Sequence, residues 1–255
     1  MNPGEISEAL FKAGVMRGDV LMIHGDSIVA AQIKQIKDRA GLQILFDEIL
    51  KYLGEHGTLV IPSFTYSFTK PEIFDIEDTR SAVGYFSEYF RLLPGVVRSS
   101  NPLFSVCAIG KHKLAFKNSS IFDCFGPDSC FGVLNDLNGR LMNLGCDFMV
   151  TFVHYVEQMV NVSYRYHKKF SGEIKSDTGL QHVVTNYFVG DMSLRYHADL
   201  SVLKQQLLET NKLAVLPFGR FASYTVSCSD FIEGCKNLLS EDKYGLIEEV
   251  LNGYR

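Results

Sequence analysis

Two short apolar runs, each cut off by a residue that stops a strand, flank one amphipathic segment of helix length. This triplet limits the fold more than any other feature of the chain. Val20-Leu-Met-Ile-His24 ends at Gly25-Asp26-Ser27, and Thr58-Leu-Val-Ile61 ends at Pro62. Neither run alternates in polarity, so each reads as a strand buried on both faces. Between them Leu42, Leu45, Phe46, Ile49 and Leu53 recur at helical spacing, with Gly54 as the stop. Strand, helix, strand in that order is the unit of a parallel sheet covered by helices.

The rest of the chain extends this pattern. Asn2 and Pro3 open a first helix that ends near Gly14. Residues 84–92 and 151–162 read as helices, and residues 103–109 and 141–144 as strands. Residues 63–82 carry aromatic, hydroxyl and acidic groups without periodicity, and read as a long surface loop. From about residue 165 the rhythm changes. Residues 182–189 look extended, residues 199–209 helical and residues 213–216 extended again. Ser227, three residues before Asp230, opens a last helix in the manner of a capping box. The expectation is an α/β fold with a central mixed, largely parallel sheet flanked by helices. Residues 1–255 form a single domain, and the extended-strand C-terminal part adds antiparallel strands to the same sheet.

Composition excludes more than it selects. A net charge of −4 lacks the basic surface that phosphate neutralisation needs, so no nucleic-acid partner is expected. No apolar run approaches the length of a membrane span, and the N-terminus has neither the basic nor the apolar region of a signal peptide. A cytoplasmic protein with no membrane partner is expected. The six cysteines, at 107, 124, 130, 146, 228 and 235, form no CxxC pair and sit in apolar runs. They are expected to be buried free thiols in a reducing compartment, not a zinc ribbon.

The most informative chemistry lies in Thr151-Phe-Val-His154-Tyr-Val-Glu157. With Thr151 as N-cap, His154 falls in the first helical turn, where the positive end of the helix dipole disfavours imidazolium. A neutral imidazole can act as a general base, and Glu157, three residues on, can orient it. Arg98-Ser99-Ser100-Asn101-Pro102, before the strand carrying Ser105, groups an arginine with hydroxyls that suit a phosphate or an amide. Gly25-Asp26-Ser27 after a strand suits an anion. Tyr66, Asp75 and Asp78 suit a cationic, hydroxylated ligand such as an amino sugar. The motifs GxSxG, GxGxxG, HExxH and the P-loop are absent, which removes the best support for conventional hydrolases, dinucleotide enzymes and kinases.

In order along the chain, several segments resemble the aminoglycoside 3-N-acetyltransferase (antibiotic N-acetyltransferase) family. They are Asp19-Val-Leu-Met-Ile-His24, Gly57-Thr-Leu-Val-Ile-Pro62, Val83-Gly-Tyr-Phe-Ser-Glu88-Tyr-Phe-Arg91 and Pro94-Gly-Val-Val-Arg98-Ser99-x-x-Pro102-x-x-Ser105. Phe125-Gly-x-Asp-Ser129-x-Phe-Gly132, Leu144-Gly145 and Thr151-x-x-His154-x-x-Glu157 continue the series. The match runs from about residue 10 to 165 and is loose beyond. The resemblance implies acyl transfer from acetyl-CoA, or another short acyl-CoA, to a primary amine. It places His154 and Glu157 at the catalytic positions, and His24, Asp26, Ser27, Arg98, Ser99 and Ser105 on the coenzyme A side. Two departures bear on that side: the family has His-Ser-Ser where this chain has His24-Gly25-Asp26-Ser27, and commonly histidine at Asn101.

The mechanism expected is direct attack. His154 takes the proton from the amine, backbone N–H groups near a strand end stabilise the oxyanion, and no acyl-enzyme forms. The acceptor expected first is a nucleotide-linked deoxyamino sugar, with Tyr66, Asp75 and Asp78 on its side. The alternative acceptor is an aminoglycoside, which implies antibiotic resistance. Two rival functions remain: a metal-dependent hydrolase with His24, Asp26, His154 and Glu157 as a cage, and a non-catalytic coenzyme A or sugar-binding protein. No metal is expected. The aromatic-rich loop is compatible with a homodimer.

Overall fold

The computed structural model describes residues 1–34, 40–191, 193 and 195–249. The first half runs α1 (Pro3–Lys12), β1 (Val20–Gly25), α2 (Gly41–Leu53), β2 (Thr58–Pro62), β3 (Phe74–Asp75), α3 (Tyr85–Arg91), β4 (Val97–Arg98) and β5 (Val106–Gly110). The middle contains α4 (Lys113–Lys117), α5 (Cys130–Asp136), β6 (Arg140–Leu144) and α6 (Val153–Val160). There follow β7 (Arg165–Ser176), β8 (Gly179–Gly190), β9 (Tyr196–Ala198), α7 (Ser201–Glu209), β10 (Ala214–Phe218), β11 (Phe221–Ser227), α8 (Cys228–Glu241) and β12 (Ile247–Glu249).

Seven strands form the central sheet in the order β10-β11-β6-β1-β2-β5-β4. It is the expected mixed sheet, but only its centre is parallel: β6 with β1 and β1 with β2. The outer pairings are antiparallel, which corrects the expectation of a largely parallel sheet. The reason is topological. The chain passes from β2 through β3, α3 and β4 before β5 returns beside β2, and the β10–β11 hairpin adds to the other edge, beside β6. That hairpin is the antiparallel extension expected of the C-terminal part. The paired β7 and β8 are not; they join β3 in a separate three-stranded sheet, in register over their whole lengths.

Alternation along the central strands divides the core in two. Leu21, Ile23, Met142 and Leu144 face one side, where α2 buries Leu42, Leu45, Phe46, Ile49 and Leu53 against them. Each such side chain taken fully out of water stabilises the fold by about 1.5–3 kcal/mol. Val20, Met22 and Leu141 face the other side, under α5, α6, α8 and the β7–β8 hairpin. α1 begins with the expected cap: Asn2 Oδ1 accepts from the Glu5 N–H and the Glu5 carboxylate accepts from the Asn2 N–H. Ser227 likewise caps α8, accepting from the Asp230 N–H. No helix among the described residues is long and apolar enough to cross a membrane.

The segment 63–82 departs from the expected surface loop. Ser63, Phe64, Thr65, Ser67, Phe68 and Phe74 are buried. The strand predicted at 103–109 is regular only from Val106, although the Ser105 and Leu103 carbonyls still accept the N–H groups of Ser63 and Thr65 in the β2–β5 register.

Candidate active site

His24 and Gly25 end β1, Asn143 and Leu144 lie beside them on β6, and α6 starts nine residues beyond Leu144. Gly145 turns the chain there with φ +73°, and a Cβ on it would lie 2.4 Å from Val29. Only glycine fits both constraints. The helix begins at Val153 without a side-chain cap, so the Thr151 hydroxyl is not the N-cap that the spacing predicts. Thr151 works through its backbone instead. Its carbonyl accepts the His154 N–H at 3.0 Å, and its N–H donates to His24 Nε2 at 3.4 Å. His154 therefore sits in the first turn, as expected.

The His154 and Glu157 side chains meet: Nδ1 and Oε2 are 2.6 Å apart. Glu157 is fully buried, whereas the His154 side chain is 18% exposed. With Nδ1–H donating to the carboxylate, Nε2 carries the lone pair on the side away from it. The Glu157 carboxylate has two further partners. Tyr164 donates its hydroxyl to Oε1 at 2.9 Å, and Arg165 Nε lies 2.7 Å from Oε2. The Arg165 N–H is not aimed at that oxygen, so this contact acts by charge; the guanidinium itself is fixed by a hydrogen bond to the Phe188 carbonyl. Burial pushes the His154 imidazole below its ordinary value, against the pull of Glu157 and with the push of Arg165. Burial works to raise the Glu157 carboxyl, but His154, Arg165 and Tyr164 outweigh it and hold it low. The resting pair is neutral imidazole and carboxylate, the state a general base requires. Phe125 stands edge-on to the imidazole at 5.4 Å between ring centres.

Tyr164 and Arg165 escaped the sequence reading of this site. Their signal is the short connection after α6: Asn161, in the left-handed region with φ +53°, turns the chain straight back along the helix. Residues seven and eight positions after Glu157 are thereby returned to it.

His24, Asp26 and Ser27 follow one another at the end of β1, and His24 reaches Thr151 just before α6. The His24 ring accepts from Thr151, its Nδ1 has no protein partner, and burial pushes its pKa down to about 4. Asp26 Oδ1 accepts the Ile28 N–H, and the Asp26 N–H donates to the Leu144 carbonyl, so that backbone donor of the turn is taken. Gly25, where the resemblance has serine, is explained by Phe86: a Cβ there would lie 2.7 Å from its ring.

Arg98, Ser99 and Ser105, expected on the coenzyme A side, are buried and engaged in internal hydrogen bonds. Arg98 is buried and donates to the carbonyls of Ser63, Ile76 and Thr79 and to Ser105 Oγ, with its guanidinium over the Phe74 ring. Ser105 donates to the Ser63 carbonyl, and Ser99 Oγ accepts the Val106 N–H. These groups fasten the 63–82 segment to β4 and β5. Asn101 is buried beside them and accepts the N–H groups of Leu103 and Phe104.

Tyr66 is drawn toward the site through Phe104, 5.5 Å away, which packs on Phe125 at 4.7 Å. Asp75 is not. It is paired with Lys175 at 2.7 Å and its other oxygen accepts the Glu77 and Asp78 N–H groups. Lys175 lies ten residues along β7 from Arg165, about 33 Å of strand. Asp75 and Asp78 therefore belong to the far end of the hairpin.

The proposed metal cage also fails. Among the described residues no group of three or more His, Cys, Asp or Glu side chains is placed to hold a metal ion. The thiols are no alternative nucleophiles: five are buried, and burial raises all six, that of Cys124 to about 12. A concavity of about 710 Å³ along α3, lined by Tyr85, Glu88 and Arg91, lies on the opposite face of the central sheet.

Known proteins share both sequence and fold with this chain. Residues 28–240 match the family model described as aminoglycoside 3-N-acetyltransferase. The aminoglycoside N(3)-acetyltransferase IV of Salmonella sp. is 26% identical over 63% of this chain and 60% of its own length. The SPbeta prophage-derived aminoglycoside N(3')-acetyltransferase-like protein YokD of Bacillus subtilis (strain 168) is 25% identical over 56% of this chain and 59% of its own. The match thus spans about three-fifths of these curated relatives. Among solved structures, aminoglycoside acetyltransferase AAC(3)-Xa superposes with a TM-score of 0.81 at 20% identity, covering 94% of this chain and 93% of that one. AAC-IIIb in a binary complex with CoASH gives a TM-score of 0.79 at 19% identity, covering 94% and 97%. At such identities the likeness establishes the fold alone. With the family model spanning most of its length, the chain belongs to the aminoglycoside 3-N-acetyltransferase family.

Proposed function

We propose that this chain is a CoA-dependent N-acetyltransferase acting on an amine of an aminoglycoside, with His154 as general base and Glu157 as the carboxylate that orients it. The observation that carries the reading is the 2.6 Å His154–Glu157 contact, with the carboxylate fully buried and held from two further sides.

An aliphatic amine is mostly protonated at neutral pH and must lose a proton to attack a thioester carbonyl. Nε2 of a neutral His154 receives that proton. Glu157, kept ionised, fixes the tautomer that leaves Nε2 free and stabilises the imidazolium once it forms. The amine adds to the acyl carbonyl, the tetrahedral intermediate collapses, and coenzyme A leaves as its thiol. Acyl-CoA is a co-substrate here, a reading supported by the fold shared with a relative solved with CoASH. The end of β1 and the start of α6 are the segments we assign to the acyl-donor side, through His24, Asp26 and Ser27.

The aminoglycoside acceptor is better supported than the nucleotide-linked sugar. The curated relatives carry aminoglycoside acetyltransferase names. A diphosphate would need basic contacts, and Arg165 beside the pair is turned inward to Glu157 with its side chain 7% exposed. We read residues 1–255 as one acyltransferase domain, supported by the pairing of β11 from the C-terminal third with β6. The test is thiol release from acetyl-CoA with free aminoglycosides and with nucleotide-linked amino sugars. Turnover with aminoglycosides, and resistance on expression in a susceptible host, is expected; turnover with nucleotide-linked sugars alone overturns the acceptor assignment.

A further inference from the structure

Close to His154 stands a carboxylate that the mechanism above does not use. Gln158 follows His154 by four residues on α6, hence on the same helix face and about 6 Å away. Its Nε2 donates to both oxygens of Asp123, at 3.1 and 3.0 Å. Asp123 Oδ1 also accepts the N–H of Phe125, the residue whose ring packs on the imidazole. The Asp123 carboxylate is thereby bracketed between two immediate neighbours of the proposed base, within roughly 10 Å of it. Its backbone is fixed as well: Asp123 bridges Asn186 of β8, with the Cys124 N–H donating to the Asn186 carbonyl and the Asn186 N–H to the Phe122 carbonyl.

The side chain is half-buried and has no Lys, Arg or His partner among the described residues. Glu88 has Arg91, Asp19 has Arg140 and Asp75 has Lys175, whereas Asp199, far from His154 in the chain, resembles Asp123 in its hydrogen bonds from neutral donors. A half-buried carboxylate held only by neutral donors keeps its charge free to attract a cation. It also repels a second anion.

We infer that Asp123 anchors a second ammonium group of a polycationic acceptor, one that stays protonated while a neighbouring amine is deprotonated by His154. The inference rests on the acyl-transfer reading of this site and adds the residue that holds a second amine of the acceptor and its fixed position relative to His154. Gln158 holds the carboxylate in register with the base, so one rigid helix turn sets the distance between the reacting and the anchoring nitrogen. An acceptor with a single amine reacts without using the anchor.

Asp123→Asn tests this. The amide oxygen still accepts the Phe125 N–H, and the new amide hydrogens can be met by Gln158 Oε1, which has no partner at present. An unchanged thermal midpoint confirms the fold. Binding of sisomicin, a polyamine, is measured by calorimetry without acyl donor, and KM and kcat by thiol release with sisomicin and with glucosamine, a monoamine. Asp123→Asn is expected to weaken sisomicin binding about tenfold and raise its KM alike, the scale of a charge-assisted contact. The kcat should stay within about twofold, and glucosamine kinetics should not move. Unchanged sisomicin binding in the variant, absence of sisomicin binding in the wild type, or equal losses for both amines each overturn the anchor. Sisomicin binding lost in Asp123→Asn while the wild type releases no thiol supports the anchor and rejects acyl transfer, so the two failures separate.

Discussion

Protonating His24 should loosen the start of α6, and the size of the effect follows from its surroundings. Burial alone lowers its pKa to about 4, whereas in the unfolded chain it returns to about 6.5. As pH falls below about 6.5 the unfolded state takes up the proton first, so folded-state stability is lost from there down to about pH 4. Between pH 7 and pH 5 these two values correspond to a loss of about 2 kcal/mol. That is a ceiling, because part of the ring reaches the surface although Nδ1 does not; about 1–2 kcal/mol is the working figure. The assay is urea unfolding at both pH values for the wild type and His24→Gln, whose side-chain oxygen can still accept the Thr151 N–H. His154 also titrates below its ordinary value, and the Glu88 and Glu157 carboxyls are held low, but these are common to both proteins and cancel. The wild type should lose about 1–2 kcal/mol more than the variant. Equal losses would refute the claim that His24 is a desolvated acceptor tied to the helix start.

Three further outcomes bear on the site and its frame. His154→Ala should lower kcat by about 10²–10⁴-fold, the usual span for a lost general base, and Glu157→Gln by at least about tenfold, with the KM for acetyl-CoA little changed in either. In wild-type kcat/KM profiles the acid limb should lie below pH 6.5: burial lowers the His154 pKa, so the neutral form persists to lower pH, and activity falls as pH drops through that lowered value. A limb above 6.5 would contradict the desolvated pair. Arg98→Lys should cost about 2–4 kcal/mol of stability in chemical denaturation, because one ammonium cannot replace four directed contacts, yet leave the acetyl-CoA KM within about twofold. A large KM rise at unchanged stability would return Arg98 to the acyl-donor site.

What the sequence showed best was local. The β1 and β2 runs, the α2 stripe, both helix caps and the His154–Glu157 pair all depend on neighbours within four residues or on simple burial. What it hid was remote. Nothing in Arg98-Ser99 distinguishes a guanidinium reaching for phosphate from one turned inward to three carbonyls some twenty to thirty-five residues away. Asp75 and Asp78 looked ligand-ready because acidic residues in an unperiodic stretch do, but Asp75 is paired with Lys175, a hundred residues distant. The antiparallel flanks of the central sheet were equally hidden, since strand direction depends on connections that short apolar runs do not encode.

Glu157 receives its partners in the order in which the chain leaves the ribosome. His154 is already present when it emerges, Tyr164 and Arg165 follow within eight residues, and Phe188, which steadies Arg165, comes only with β8. Until then Arg165 lacks the carbonyl that fixes it, and the hairpin that covers the pair is incomplete. The reactive pair must therefore remain hydrated on the nascent chain, and a product terminated before the second hairpin strand should carry both residues yet no poised base.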